Sequence, residues 1–348
     1  MLKQVAEFSL VLLACAASAL AQKPSEAPPA EASPILLYVQ VTDKAGQPIP
    51  GLQQSDFTLL DDGKAAPIQL FRELSGSKPN NASIMLLIDT VTPDFNEVTY
   101  ARQQIAKFLR SYGQHLPAPV SVSVLTDASI TQLLPPLTDG TRLAAELEQS
   151  QAHLRPVPQS ADWGAEERWQ ESMEALERIT IDRARRPGRT ILIWISPGWS
   201  IFNPAGIMIT DPEQAWFMKM IVGISTGLRV GRVTLDSVDP IGPQDGANQR
   251  AIVWQGYLKP VKKQSDAYPS NLSLQVLATQ SGGRVLYASN DVAHELAQCA
   301  EDASDFYAIQ FAGRSSDQPD TWHDLEVKVD RPGVVVRTNQ GYYAQPPR

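Results

Sequence analysis

An α/β fold with a doubly wound parallel sheet, set between two β segments at the ends of the chain, is what the sequence predicts. Three observations carry that prediction. Ile84-Met85-Leu86-Leu87-Ile88 is a continuous apolar run, as expected of a strand buried on both faces of a parallel sheet. Strand signals then alternate with helical periodicity to about residue 303. Short strands bounded by turn residues stand before and after this block. The 348 residues are 43% hydrophobic and 20% charged, which excludes a mainly disordered or fibrous chain. With 30 Lys+Arg against 38 Asp+Glu, a net charge of -8 and no basic cluster, nucleic acid is not expected as a partner.

The first residues read as an address. Lys3 precedes an apolar run from Phe8 to about Ala21, and Ala19-Leu20-Ala21 before Gln22 is an A-x-A cleavage site. A signal peptide over residues 1–21 is expected, with export to the periplasm, the cell envelope or the medium. An uncleaved anchor is the rival, although about 20 apolar residues are needed to span a bilayer. Leu12-Leu13-Ala14-Cys15 also looks like a lipobox, which would place a lipid anchor on Cys15. No second long apolar run follows, so no membrane span is expected in the mature chain. Cys15 and Cys299 are the two cysteines, and cleavage after Ala21 leaves one thiol and no intrachain disulfide. Cys299, in an amphipathic helical stretch, is expected as a buried structural thiol.

Residues 22–33 are Pro/Ala/Glu-rich and read as a disordered linker. In the first β segment, 34–75, strands are expected at Ile35–Thr42, Phe57–Leu60 and Ile68–Phe71, with turn chemistry at Asp43-Lys44-Ala45-Gly46 and Asp61-Asp62-Gly63. The α/β block, 82–304, carries further strands at Val120–Leu125, Thr190–Ile195, Arg232–Leu235 and Arg284–Tyr287. Helical patterns lie at about 97–112, 141–150, 163–184, 211–228, 271–280 and 290–303. The last segment, 305–345, returns to β at Phe306–Phe311, Leu325–Val329, Val334–Arg337 and Tyr342-Tyr343. The expectation is that the two β segments pair into one small β-sandwich-like domain, with the α/β block inserted between them.

Several pieces, taken in order, resemble a known family. They are Val39–Gly46 with Gly51-Leu52 and Asp56-Phe57, then Leu87-Ile88-Asp89-Thr90, Ala101-Arg102-Gln103 and Ser237-Val238-Asp239-Pro240. Leu277–Gly283 and Arg331-Pro332-Gly333 with Gly341-Tyr342-Tyr343 complete the set. Together they resemble a von Willebrand factor A-type domain, and more closely the related secreted proteins of acidobacteria. The resemblance implies a Rossmann-like domain used for protein binding or adhesion, often through a divalent cation such as Mg²⁺. The family's metal site takes an Asp and two hydroxyls after the first strand, a Thr from a middle loop and an Asp after the fourth strand. Here Asp89 holds the first position, but the hydroxyl positions are Val91 and Pro93, and Ser196-Pro197-Gly198 stands where the late Asp belongs. Thr92 and Asp94 are the neighbouring oxygen donors, and Ser160 and Asp162 stand where the middle Thr is expected. The site reads as degenerate, formed by Asp89, Thr92, Asp94 and Ser196, holding no cofactor or a single divalent cation. The alternative reading of Asp89 is a carboxylate hydrogen-bonded to nearby backbone N–H groups.

A long loop from Pro240 to Tyr268 lies at the same strand-end face, with Trp254, Tyr257, Lys259 and Lys262 as candidate partner-binding residues. Packing of Trp254 on its own domain is the rival. Enzyme signals are weak. Gly223-Ile224-Ser225-Thr226-Gly227 matches G-x-S-x-G, but helix precedes it and strand follows, the reverse of a nucleophile elbow. His115, His153, His294 and His323 are scattered and form no metal or catalytic motif. The expectation is an exported, non-catalytic protein-binding or adhesion module, with a metal-independent structural or assembly subunit of the cell envelope as the alternative.

Overall fold

The computed structural model describes residues 34–75, 82–150, 164–199, 209–242 and 254–346. The expected signal peptide, the linker, Cys15, Ser160 and Asp162 lie outside the described residues. The chain begins with β1 (Pro34–Thr42), whose Ile35, Leu37, Val39 and Val41 share one buried cluster. β2 (Phe57–Asp61) turns through Asp62 and Gly63, at φ of 50° and 73°, into β3 (Lys64–Ala65). Asp and Gly tolerate that left-handed backbone, which is why Asp-Gly makes a tight hairpin here. β4 (Ile68–Leu74) completes the first segment.

The central sheet starts at β5 (Ser83–Asp89), where every residue after Ser83 is buried. Asp94 then starts α1 (Phe95–Ser111) by accepting from the backbone N–H of Glu97, while Glu97 accepts from that of Asp94. This reciprocal cap satisfies donors that a helix start leaves unpaired. The chain continues through β6 (Val120–Leu125), β7 (Ile130–Leu137), α2 (Gly140–Gln149) and α3 (Gly164–Ala184). After these come β8 (Thr190–Ile195), α4 (Asp211–Val230), β9 (Val233–Val238), α5 (Leu274–Gln280), β10 (Val285–Leu286) and α6 (Val292–Glu301). The strand order is β10-β9-β8-β5-β6-β7, and all neighbours are parallel except β6 and β7. α1, α2 and α6 pack on one face and α3, α4 and α5 on the other. This is a doubly wound sheet whose order reverses between β5 and β8.

β7 is the longest strand among those the sequence does not predict. Pro135 and Pro136 interrupt its pattern, and proline is tolerated only where a strand need not donate on both sides. β7 is the sheet's edge, so the prolines lose little and block further pairing.

The final segment supplies β11 (Phe306–Ala312), β12 (Thr321–Val329), β13 (Val335–Arg337) and β14 (Gly341–Ala344). Two further sheets result, β13-β1-β11-β4 and β14-β12-β2-β3, each combining strands from both ends of the chain. Leu37 lies opposite Ile309 and Leu59 opposite Val327, and all four belong to the same buried cluster. Trp322 and Tyr343 instead join the core beneath α3, α4 and α5, with ring centroids 4.8 Å apart. The junction with the α/β block is also charged. Arg284 and Arg337 each bond both carboxylate oxygens of Asp302, over 2.7–3.0 Å, and Gln40 of β1 donates to the Asp302 carbonyl. Arg189, almost fully buried, donates to that same carbonyl and to Thr234, with Tyr38 and Phe306 flanking its guanidinium. Burial lowers its pKa to about 10, leaving it charged at neutral pH.

Candidate functional site

β5 and β8 are parallel neighbours with Ile88 opposite Ile195, so the residues that follow emerge side by side at the carboxyl edge of the sheet. These are Asp89 and Ser196, at the point where the strand order reverses and open α/β sheets place their ligand crevice. The Ser196 hydroxyl donates to Asp89 Oδ2 at 2.7 Å and accepts from the Gly198 N–H at 3.0 Å. Gly198 makes that turn with φ +87°, and a Cβ there would stand 2.8 Å from the Gln275 side chain. Asp89 Oδ1 accepts from the backbone N–H groups of Val91, at 2.8 Å, and Thr92, at 3.1 Å. Thr90 donates through both its hydroxyl and its N–H to the Leu125 carbonyl, fastening β5 to β6.

The four residues expected at a metal site therefore divide. Asp89, Ser196 and the backbone of Thr92 come together, whereas Asp94 is spent on the α1 cap. Asp89 is 1% exposed and each of its oxygens already holds a donor. Val91 is buried in the core, and neither it nor Pro93 has a side-chain oxygen. A divalent cation needs open, hard oxygen ligands, and these residues do not fit one. The Asp89 carboxylate instead closes the loop that follows β5, as in the alternative reading of the sequence.

Two neighbouring acids complete the edge. Asp239, directly after β9, accepts from the Ile241 N–H at 2.9 Å, repeating the turn made by Asp89. Glu295 on α6 is 5% exposed, and its Oε2 has no hydrogen-bond partner among the described residues. Burial first, and then the nearby Asp239 charge, push its pKa up to about 7.

The described part of the long loop is anchored rather than presented. Trp254 is buried against Val276, with the Tyr287 ring at 5.9 Å, so its indole is not offered to a partner. Trp254 thus packs on its own domain, the rival reading of the sequence, over the apolar residues beneath it. Tyr257 stacks edge-on to Tyr268, Lys262 pairs with Asp324 of β12, and Lys259 is exposed.

A second polar cluster was not anticipated. Asp61 ends β2 and Asp62 opens the turn after it, and the β2–β12 pairing brings His323 to them. His323 Nδ1 lies 3.3 Å from Asp61 Oδ1 and 2.9 Å from Asp62 Oδ2. The Tyr342 hydroxyl donates to Asp61 Oδ2 at 2.9 Å, the Arg314 guanidinium stands 3.6 Å away, and the Tyr342 ring stacks on the imidazole. One atom from each of Asp61, Asp62 and His323 is close enough to the others to hold a metal ion. Two carboxylates and an imidazole suit a first-row transition ion. In sequence these are a hairpin turn and an isolated histidine, with Asp61 and His323 262 residues apart and nothing local to join them.

No family model matches the chain, and no curated protein matches it. Among solved structures, the chain is similar to the manganese-loaded TRAP protein of Plasmodium vivax, at 10% identity over 77% of this chain and 96% of that one, TM-score 0.38. It is similar to proximal thread matrix protein 1 from the mussel byssus, at 10% identity over 76% of this chain and 50% of that one, TM-score 0.37. The SpRpn10 VWA domain shares 10% identity over 62% of this chain and 95% of that one, TM-score 0.31. The fold assignment rests on the strand order itself. Among the described residues, no helix is long and apolar enough to cross a membrane.

Proposed function

We propose that the chain is an exported, non-catalytic protein-binding or adhesion module of the von Willebrand factor A type that works without a metal ion at its strand-end site. In this reading the two outer sheets form a β-sandwich that carries the α/β block. The observation that supports it most is the commitment of Asp89, whose oxygens hold two backbone N–H groups and the Ser196 hydroxyl. A carboxylate used in this way shapes a loop. The placement of Ser225 agrees with a non-catalytic role, because it lies within α4 and not on a strand-to-helix turn. Export rests on the A-x-A site at Ala19-Leu20-Ala21. The same Asp89 geometry favours a second reading, a structural or assembly subunit of the cell envelope, which differs in holding its neighbours permanently.

Affinity capture from envelope and secreted fractions tests the proposal, with the chain presented in EDTA or in Mg²⁺. The expected result is the same bound protein in both, exchangeable in the first reading and held permanently in the second. Binding seen only with Mg²⁺ and lost in Asp89→Asn would overturn metal independence. Labelling of Ser225 by a fluorophosphonate would overturn the non-catalytic assignment.

A further inference from the structure

α3 and α4 lie together on one face of the sheet, close at one end and parted at the other, and the glycines of α4 account for the difference. A Cβ on Gly227 would sit 2.9 Å from the Thr180 hydroxyl, and one on Gly231 would sit 2.9 Å from the Thr180 carbonyl. Glycine is what lets the two helices meet there. One turn earlier, a Cβ on Gly223 would find nothing within 4 Å. A groove of about 580 Å³ opens at that point between the helices. The match to G-x-S-x-G thus marks a helix seam that runs into a cleft.

The groove has an apolar lining and an acidic rim. Trp169, Met173, Met220 and Ile224 line it, and Trp216 stands beside Trp169 with ring centroids 5.7 Å apart. Trp216 is 49% exposed, unusual for so large an apolar ring. Glu166, Glu174 and Glu177 line the α3 side, against Lys219 on α4, and Arg178 pairs with Glu174. Exposed tryptophan marks binding hot spots, and thioethers adapt to the side chain they receive.

We propose that this groove seats a cationic amphipathic segment of a partner protein. The inference rests on the reading of the chain as a protein-binding module and moves recognition from the strand ends to the helix face. One or two large apolar side chains of the partner enter between Trp169, Trp216 and Met220. Lys or Arg beside them meet Glu166 and Glu177, the helix-in-groove mode of recognition with charge setting the partner. A second copy of this chain fits poorly, since the rim and the net charge of -8 have the same sign.

Fluorescence anisotropy tests this with labelled peptides carrying Leu/Phe on one helical face and Lys/Arg on the other, titrated with the full chain. The controls are the same peptides with Lys/Arg changed to Glu, or Leu/Phe changed to Ser. Saturable binding of the cationic peptides is expected, weakened about tenfold or more by either change. Gly223→Trp, whose side chain enters open space, and the double change Glu166→Lys with Glu177→Lys are each expected to weaken binding by a similar factor. Glu146→Lys with Glu148→Lys, a double change of the same charge on α2 across the sheet, is expected to leave binding intact. Unfolding curves verify that Gly223→Trp is folded, and the rim variant carries the test if it is not. Absence of saturable binding, equal binding of the Glu peptides, or indifference to both groove variants overturns the proposal. Self-association abolished by the groove variants overturns it in favour of a second copy. A captured partner retained by Gly223→Trp rejects the groove and leaves the protein-binding reading standing, whereas capture of no partner rejects that reading itself.

Discussion

Asp302 shows how much one side chain can hold. Burial alone would push its carboxyl up, but Arg337 and Arg284 outweigh that and keep it below the usual carboxylate range. Asp302→Ala leaves both guanidinium groups without their partner at a joint where each is about four-fifths buried. A loss of roughly 3–5 kcal/mol is expected, read as a lower denaturant midpoint. Asp89→Ala removes the acceptor for three donors in a buried loop and is expected to cost about 3 kcal/mol or more, while Asp89→Asn, which keeps an acceptor for the backbone N–H groups, costs less. Glu295 acts in the opposite sense to Asp302. Its carboxyl is raised from an ordinary 4.5 to about 7, so between those values only the unfolded chain gives up this proton. Stability should therefore fall as pH rises from about 4.5 through 7, by on the order of 3 kcal/mol from this group. Thermal unfolding across that range is expected to show the decline, and Glu295→Gln to flatten it. Asp236, raised by burial and by Asp302, adds a decline of the same sign that Glu295→Gln leaves in place. An unchanged pH profile in Glu295→Gln would contradict the assignment.

At the scale of elements, α4 carries the sharpest contrast. Gly223→Ala is expected to stabilise by about 0.5–1 kcal/mol, because the position is helical and its Cβ meets open space. Gly227→Val drives a branched side chain into Thr180 and is expected to destabilise by about 1–3 kcal/mol. Equal effects of the two substitutions would mean that the seam between α3 and α4 is not set by glycine. Elements with a strong period were legible in the sequence: the apolar runs of β5 and β8 and the alternating β6 are strands, and α1 and α4 fall within a few residues of the expected ranges. β7 was not legible, since its prolines read as a break until the sheet edge explains them. Asp94 was ambiguous for a related reason. A carboxylate directly before a helix looks the same in sequence whether it caps or ligates, and here it exchanges capping hydrogen bonds with Glu97.

For the whole molecule, what the sequence could not reach was distance. The Asp61–Asp62–His323 cluster and the Asp302 joint, which Gln40 reaches from β1, draw on residues far apart in the chain, so no local pattern marks them. Asp89 and Ser196 were legible as a pair of positions, because parallel strands deliver their following residues to one edge, yet hydrogen bonding decided their role. The central claim is that this edge is closed by hydrogen bonds and needs no cation. It is tested most directly by thermal unfolding of the wild type, Asp89→Asn and His323→Ala in EDTA and in excess Mg²⁺, Mn²⁺ or Ca²⁺. A ligand at about 100 times its dissociation constant stabilises by roughly 2.7 kcal/mol, enough to move a midpoint by several degrees. The account predicts that any shift produced by a cation is the same in Asp89→Asn as in the wild type, and that a shift from the second cluster disappears only in His323→Ala. A cation-dependent shift that Asp89→Asn abolishes would contradict it.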